Sequence, residues 1–170
     1  SSLARFDDFE LMFNSYPWKK RIRRSDHLKN TFLLMSHEVY TLEERFKRFF
    51  RAIEHCAKIY SIELDIGSIR RSILSLHKRS LGNLLALRGH HVHKADVTPK
   101  EIERVALLEL LESEELKYLS PLRNLAILEV KRQWRKRASE TKNKAEILAK
   151  AAFHLTEPVW RTVAAEKITP

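Results

Sequence analysis

Leu28, Phe32, Met35, Val39, Leu42, Phe46, Phe49, Ile53, Cys56 and Tyr60 follow one another at alternating steps of four and three, and this seam is the strongest constraint on the fold. Such spacing keeps one face of an α-helix apolar, whereas a strand would need alternation at every second residue. It predicts one long central helix that buries a stripe along its length. Ser25 or Asp26 can cap its start, and Glu43, Glu44, Arg45, Lys47, Arg48 and Arg51 fall on its other faces. The seam reads as core between packed helices, with a coiled-coil dimer as the alternative that the pattern also fits.

The remaining segments read as helix too. FDDFELMFNSY predicts a short helix before Pro17, and the basic cluster WKKRIRR after it reads as a loop or helix edge. A second major helix is expected from Ile66 to Leu87, with Ile66, Ile69, Ile73 and Leu76 as its first stripe and Gly82 weakening its later half. Thr98, Pro99 and Glu101 supply an N-cap, a first-turn proline and a capping-box acid for a helix running to about Leu119. Ser120 and Pro121 repeat the cap-then-proline pattern and open a helix that carries KRQWRKR, while AEILAKAAFHL forms a last amphipathic stretch ending before Pro158. Three glycines in 170 residues leave few places for sharp turns, and there is neither strand-like alternation nor an internal repeat. The expected fold is all-α: a single helical domain over 1–170, an up-and-down bundle of four to six helices.

Charge narrows the partners. Lys and Arg number 32 against 22 Asp and Glu, for a net charge of +10, which predicts an acidic partner with nucleic acid ahead of a membrane surface. WKKRIRR and KRQWRKR each set a tryptophan among cations, an arrangement suited to phosphate contact and base stacking. Burial of the tryptophan on an amphipathic helix fits these clusters equally well. The single cysteine, Cys56, makes no internal disulfide and reads as a small buried hydrophobe. No apolar run spans a bilayer, and SSLARFDDFE lacks the basic-then-apolar pattern of a signal peptide. The expectation is therefore a soluble, cytoplasmic protein without a membrane partner. The chain starts without methionine, as a piece of a longer protein would.

Candidate chemistry concentrates in LLALRGHHVHKADVTPKEIERV, Leu84 to Val105. A helix that stops between Leu87 and Thr98 leaves Arg88 to Ala95 at its carboxy terminus and in the following turn. In one reading Gly89 ends that helix, and the histidines and Lys94 complement the dipole at its last carbonyls. In a second, His90, His91 and His93, with Asp96, bind a divalent ion. Adjacent histidines converge poorly on one ion, and neither a helical HExxH pattern nor cysteine partners occur, so no metal and no cofactor are expected.

The third reading rests on a likeness. Arg88 followed after four residues by His93, a long helix bearing SHEVYTLEERFKRFF, a second ending in LALRGHHVH and a third beginning VTPKEIERVALLELL together resemble the HEPN superfamily. The resemblance covers roughly Asp26 to Leu119, with the basic helices of 121–170 completing the domain. An arginine followed by a histidine after four to six residues recurs in Arg21 with His27, Arg48 with His55, and Arg70 or Arg71 with His77; Arg88 and His93 are set apart by their predicted place at a helix end.

The resemblance implies a homodimer in which both copies of the pair line one cleft, and a metal-independent endoribonuclease of a toxin–antitoxin or defence system, partnered by an antitoxin or a nucleotidyltransferase. His93 would do the acid/base work and Arg88 would stabilise the phosphate, with His90, His91 and Lys94 as substrate contacts. Gly89 stands where catalytic members commonly carry a polar residue. The alternative is a noncatalytic HEPN-like module that binds RNA, a nucleotide or a protein. Charge and heptads alone fit a helical nucleic-acid-binding or scaffold protein outside the family.

Overall fold

The structure, a computed structural model, describes residues 3–15, 22–93, 98–111 and 114–166, and their side chains except at 87–93 and 114–115. Among these residues there are six α-helices and no strand: α1 Ala4–Asn14, α2 Arg24–Ile59, α3 Ile66–His93, α4 Lys100–Leu110, α5 Ser120–Leu155 and α6 Glu157–Glu166, with a short 3-10 helix over Glu114–Leu119. The protein is all-α, and no described helix is long and apolar enough to cross a membrane. Two compact units are present, the first Ser1–Glu38 with Ala86–Lys142, the second Val39–Leu85 with Asn143–Pro170. They interleave the sequence segments 26–119 and 121–170, because α2, α3 and α5 each contribute to both.

The seam of α2 holds through Phe46 and then shifts by one residue. Leu28, Phe32, Met35, Val39, Leu42 and Phe46 are buried, but beyond them Phe50, Ile53 and Ala57 carry the stripe while Phe49, Cys56 and Tyr60 are partly exposed. A helix turns once in about 3.6 residues, so a strict heptad drifts by about 20° per repeat unless the helix supercoils. The buried series averages about 3.6 residues per step, the period of a straight helix. The pattern is that of a helix packed in a globular core, not of a coiled coil.

The start of α2 is capped from a distance. Glu109 of α4 accepts from the Arg24 N–H (2.9 Å) through Oε1, and from the Ser25 N–H (3.1 Å) and Ser25 hydroxyl (2.5 Å) through Oε2. Its carboxylate thus satisfies amides that have no intrahelical partner and sits at the positive end of the helix dipole. Ser25, expected to accept from the helix, instead donates to this acid.

Several boundaries also move. α3 continues through Gly82 and Gly89 to His93, and its buried stripe is Ile66, Ile73, His77 and Leu81, with Leu76 exposed. α4 begins at Lys100 with Pro99 as its N-cap and no side-chain cap; the Pro99 carbonyl accepts from the N–H groups of Ile102 and Glu103. Glu101, released from the expected capping box, takes a hydrogen bond from Arg137 at 3.3 Å. α4 ends at Leu110 rather than Leu119, and α5 starts at Ser120 as the cap predicts, then absorbs AEILAKAAFHL into a helix of 36 residues. Pro158 opens α6 within its first turn, where its missing N–H costs nothing.

In the first unit Phe6 and Phe13 of α1, Phe32 of α2, Ile102 and Val105 of α4 and Trp134 of α5 are sealed from solvent. In the second, Phe50, Ile73, Ala152 and Val159 are buried, and Phe49 leans on Phe153 with centroids 5.1 Å apart. The register of α2 is checked by denaturant unfolding: Phe50→Ala should cost about 3–5 kcal/mol and Phe49→Ala clearly less, the reverse of what a strict heptad requires. Gly82 has open space where a Cβ would stand. Gly82→Ala should therefore stabilise the protein by about 0.5–1 kcal/mol, and a loss would show that the position is crowded.

Candidate nucleic-acid interface

The burial of one side chain decides which residues of KRQWRKR reach solvent. Trp134 is 1 % exposed, stacked against Phe13 (centroids 5.8 Å apart) and edge-on to Phe32 (5.0 Å). Its helical neighbours Ala126, Ile127, Val130 and Ala138 are buried with it. At about 100° per residue, that inward face carries Arg132 and Lys136 to the opposite side of α5 and leaves Lys131 and Arg135 at its flank. These four cations, with Leu128 and with Glu10 and Asn14 of α1, line a groove of about 680 Å3 within the first unit. The indole itself offers no face to a base: Arg137 lies over it, 4.5 Å from the centroid. Of the two roles the sequence allowed for this tryptophan, burial is the one realised.

The groove's cations are held loosely. Lys131 Nζ donates to the Asn14 carbonyl at 3.2 Å, Arg135 pairs with Glu10 at 3.4 Å and Lys136 with Glu140 at 4.0 Å. Exposed pairs of this kind contribute about 0–1 kcal/mol, so an incoming phosphate can replace the carboxylates. Burial pushes the Lys131 pKa below the usual lysine range, and the charge of Arg24 pushes it in the same direction. Arg24 is the last residue of WKKRIRR, so the end of one basic cluster lies within electrostatic reach of the start of the other. An anion bound there would relieve the repulsion between them. Residues 16–21, which include Trp18, Lys19, Lys20 and Arg21 of the first cluster, lie outside the described residues.

The arginine–histidine segment belongs to the first unit as well. The expected helix stop at Gly89 is overturned: Arg88, His90, His91 and His93 occupy the final turns of α3 and not a turn after it. Glycine lowers helix propensity by only about 1 kcal/mol, which surrounding structure readily offsets. The side chains of Arg88, His90, His91 and His93, and the whole of Lys94 and Asp96, lie outside the described residues. Five residues along a helix leave two positions about 140° apart. The register of α3 therefore does not place Arg88 and His93 on one face of the helix. Among the described residues no group of three or more His, Cys, Asp or Glu could hold a metal ion.

The other arginine–histidine spacings meet different fates. His27 Nε2 lies 2.8 Å from the Met12 carbonyl, and His55 is exposed on α2. His77, in the second unit, is fully buried on α3 in the stripe between Ile73 and Leu81. Neither ring nitrogen has a hydrogen-bond partner; Glu43 Oε2 stands 4.0 Å from Nδ1, and the ring meets Phe46 edge-on at 6.2 Å. Burial holds its pKa below the ordinary histidine value, outweighing the upward pull of Glu43 and of the Val39 backbone, and Lys47 adds a downward push. Glu43 is already engaged: it and Glu44 each lie 2.8 Å from Lys47, whose pKa they raise to about 12. Spacing of four from Ile73 and four to Leu81 was the sequence signal that His77 sits in the core.

Compared with protein-family models, curated proteins and solved structures, the chain matches none.

His77 makes the stability of the protein depend on pH. Its ring is held neutral in the folded state but protonates near pH 6.5 once unfolded, so the unfolded chain binds more protons on acidification. Stability should be full above about pH 6.5 and fall as the pH drops from there toward the lowered folded pKa. In His77→Leu this part of the decline should vanish, and the variant should exceed the wild type at pH 5 by about 1–3 kcal/mol, the cost of a buried unpaired polar group. Equal declines in urea titrations of the two proteins would contradict this.

Proposed function

We propose that the protein is an RNA-binding endoribonuclease of the HEPN type, acting without a metal in the cytoplasm. The observation that carries RNA binding is the groove of Lys131, Arg132, Arg135 and Lys136, which gathers cations on one side of α5 with Arg24 close by. Aligned cations of this kind suit a phosphate backbone. Cleavage rests on the resemblance in the segment from Arg88 to Lys94.

The chemistry suits these residue types. A histidine takes the proton of the ribose 2′-hydroxyl, that oxygen attacks phosphorus, and the 5′-oxygen leaves with a proton supplied by a second acid, producing a 2′,3′-cyclic phosphate. An arginine fork holds the phosphoryl oxygens as charge builds on them. One cleft needs two proton-transfer groups, and each chain offers one such pair. The helical register, which parts Arg88 from His93 within a copy, fits an arrangement in which Arg88 of one subunit works with His93 of a homodimer partner. His90, His91 and Lys94 would contact substrate. An antitoxin or nucleotidyltransferase partner and a toxin–antitoxin or defence setting come with the resemblance alone. Gly89, inside α3 beside Arg88, favours a second reading in which the same surface binds RNA without cutting it.

Charge reversal tests the groove. Arg132→Glu with Arg135→Glu should weaken RNA binding by tenfold or more and lower the salt dependence by about 0.7 in slope for each phosphate of a single strand that the variant no longer neutralises. Unchanged affinity would remove the groove from the interface. Cleavage should survive chelator, stop when the scissile nucleotide is deoxy, and disappear in His93→Ala with affinity retained, while Arg88→Ala should weaken both. Tight binding by a wild type that never cleaves selects the noncatalytic module, and unaltered cleavage in both variants excludes the pair.

A further inference from the structure

Resting on the reading of the protein as RNA-binding, we propose that its second unit carries an aromatic platform on which one or two unpaired bases stack. Phe153, near the end of α5, is 56 % exposed, and Trp160 of α6 is 40 % exposed. Both rings are held in place. Phe153 leans on Phe49 of α2, and the Trp160 Nε1–H donates to the Phe153 carbonyl at 3.0 Å. The same carbonyl accepts from the Thr156 hydroxyl at 3.3 Å, so the junction of α5 and α6 is tied to one point. With its N–H satisfied inside the protein, the indole offers ring carbon to solvent. Rings fixed before a ligand arrives lose little freedom when a base stacks on them. Trp160 with Arg161 is a tryptophan beside a cation, as in KRQWRKR, but here the ring stands at the surface.

Area and charge select the occupant. An aromatic side chain covers about 150–250 Å2 when fully buried, so two rings about half exposed present on the order of 200 Å2. A stable protein interface needs about 800 Å2 from each partner, whereas a stacked base needs one ring face. Cations flank the rings. The Arg161 guanidinium lies 5.9 Å from the Trp160 centroid, and Lys150 is exposed one turn before Phe153 on the same side of α5. The acids nearby are engaged: Glu157 pairs with Arg161 and stands 3.4 Å from His154, Glu146 is half-buried with a partner of its own, and Glu166 accepts from the Tyr60 hydroxyl. Exposed ion pairs are weak in water, so a phosphate can take the place of Glu157 beside Arg161. Bases on ring faces and phosphates on neighbouring cations are how a single strand is held without sequence preference. Lys58, nine residues on from Phe49, is about 180° round α2 from it and away from the rings.

Two single-stranded oligomers of equal length, one of adenosine and one of abasic ribose phosphate, separate stacking from charge. The full chain should bind the adenosine oligomer more tightly. Phe153→Ala and Trp160→Ala, both at exposed positions, should each weaken that binding about fivefold or more. The abasic affinity, the salt slope and the helical circular dichroism should stay as they are, because neither substitution changes charge. Trp160→Phe, which keeps a ring, should retain much of the preference. Arg132→Glu with Arg135→Glu should instead weaken binding of both oligomers and leave their ratio unchanged. A wild type that binds the two oligomers equally, or a preference that survives both alanine substitutions, overturns the platform and leaves the groove's role standing. Failure to bind either oligomer removes RNA binding and the platform with it.

Discussion

The indole of Trp134, closed between Phe13 and Phe32, is the contact on which the first unit depends. An aromatic side chain of this size removes about 150–250 Å2 from water, more than any other residue type, and it joins α1, α2 and α5 in one cluster. Once Trp134 faces inward, the helical repeat leaves little freedom for its neighbours. Val130 and Ala138 follow it into the core, and Arg132, Arg135, Leu125 and Leu128 are carried outward. The outer side of α5 thus divides along its length into a leucine stretch and a basic stretch. The basic groove is a consequence of that one buried ring.

How far this was legible from the sequence depended on whether the deciding contact was local. The spacing from Leu28 to Phe46 is local, and those six positions are buried as it predicts. Past Phe46 the heptad and the true helical period diverge by enough to exchange Phe49 for Phe50, which only the packing of the whole helix decides. The start of α2 was misassigned for the opposite reason: its cap, Glu109, lies 84 residues further along the chain from Ser25, and no local motif announces it. Gly89 resembles a helix stop, yet α3 passes through it. Within the candidate site the residue types around Arg88 and His93 were readable, whereas their register on a continued helix was not.

Electrostatics links the fold to the proposed role. Several of the cations on α5 stand near acids: Arg135 near Glu10, Lys136 near Glu140, Arg137 near Glu101 and Lys142 near Asp7. Such exposed pairs orient the basic groove without neutralising it, since each contributes little and water competes for both partners. Lys131 differs, being partly buried beside the charge of Arg24, and that is where an added anion would be most favourable. The proposed polyanion binding rests on this arrangement and not on net charge alone.

Lysine-reactive footprinting of the intact protein with and without single-stranded RNA tests the assignment of the α5 groove most directly. Lys136 in the groove and Lys58 in the second unit have side chains 80 % and 75 % exposed, each 4.0 Å or less from a glutamate, so they should label alike in the free protein. With RNA bound, Lys136 and Lys131 should be protected while Lys58 labels as before. Equal protection of Lys136 and Lys58, or protection of Lys58 alone, would contradict the placing of the RNA surface on the α5 groove.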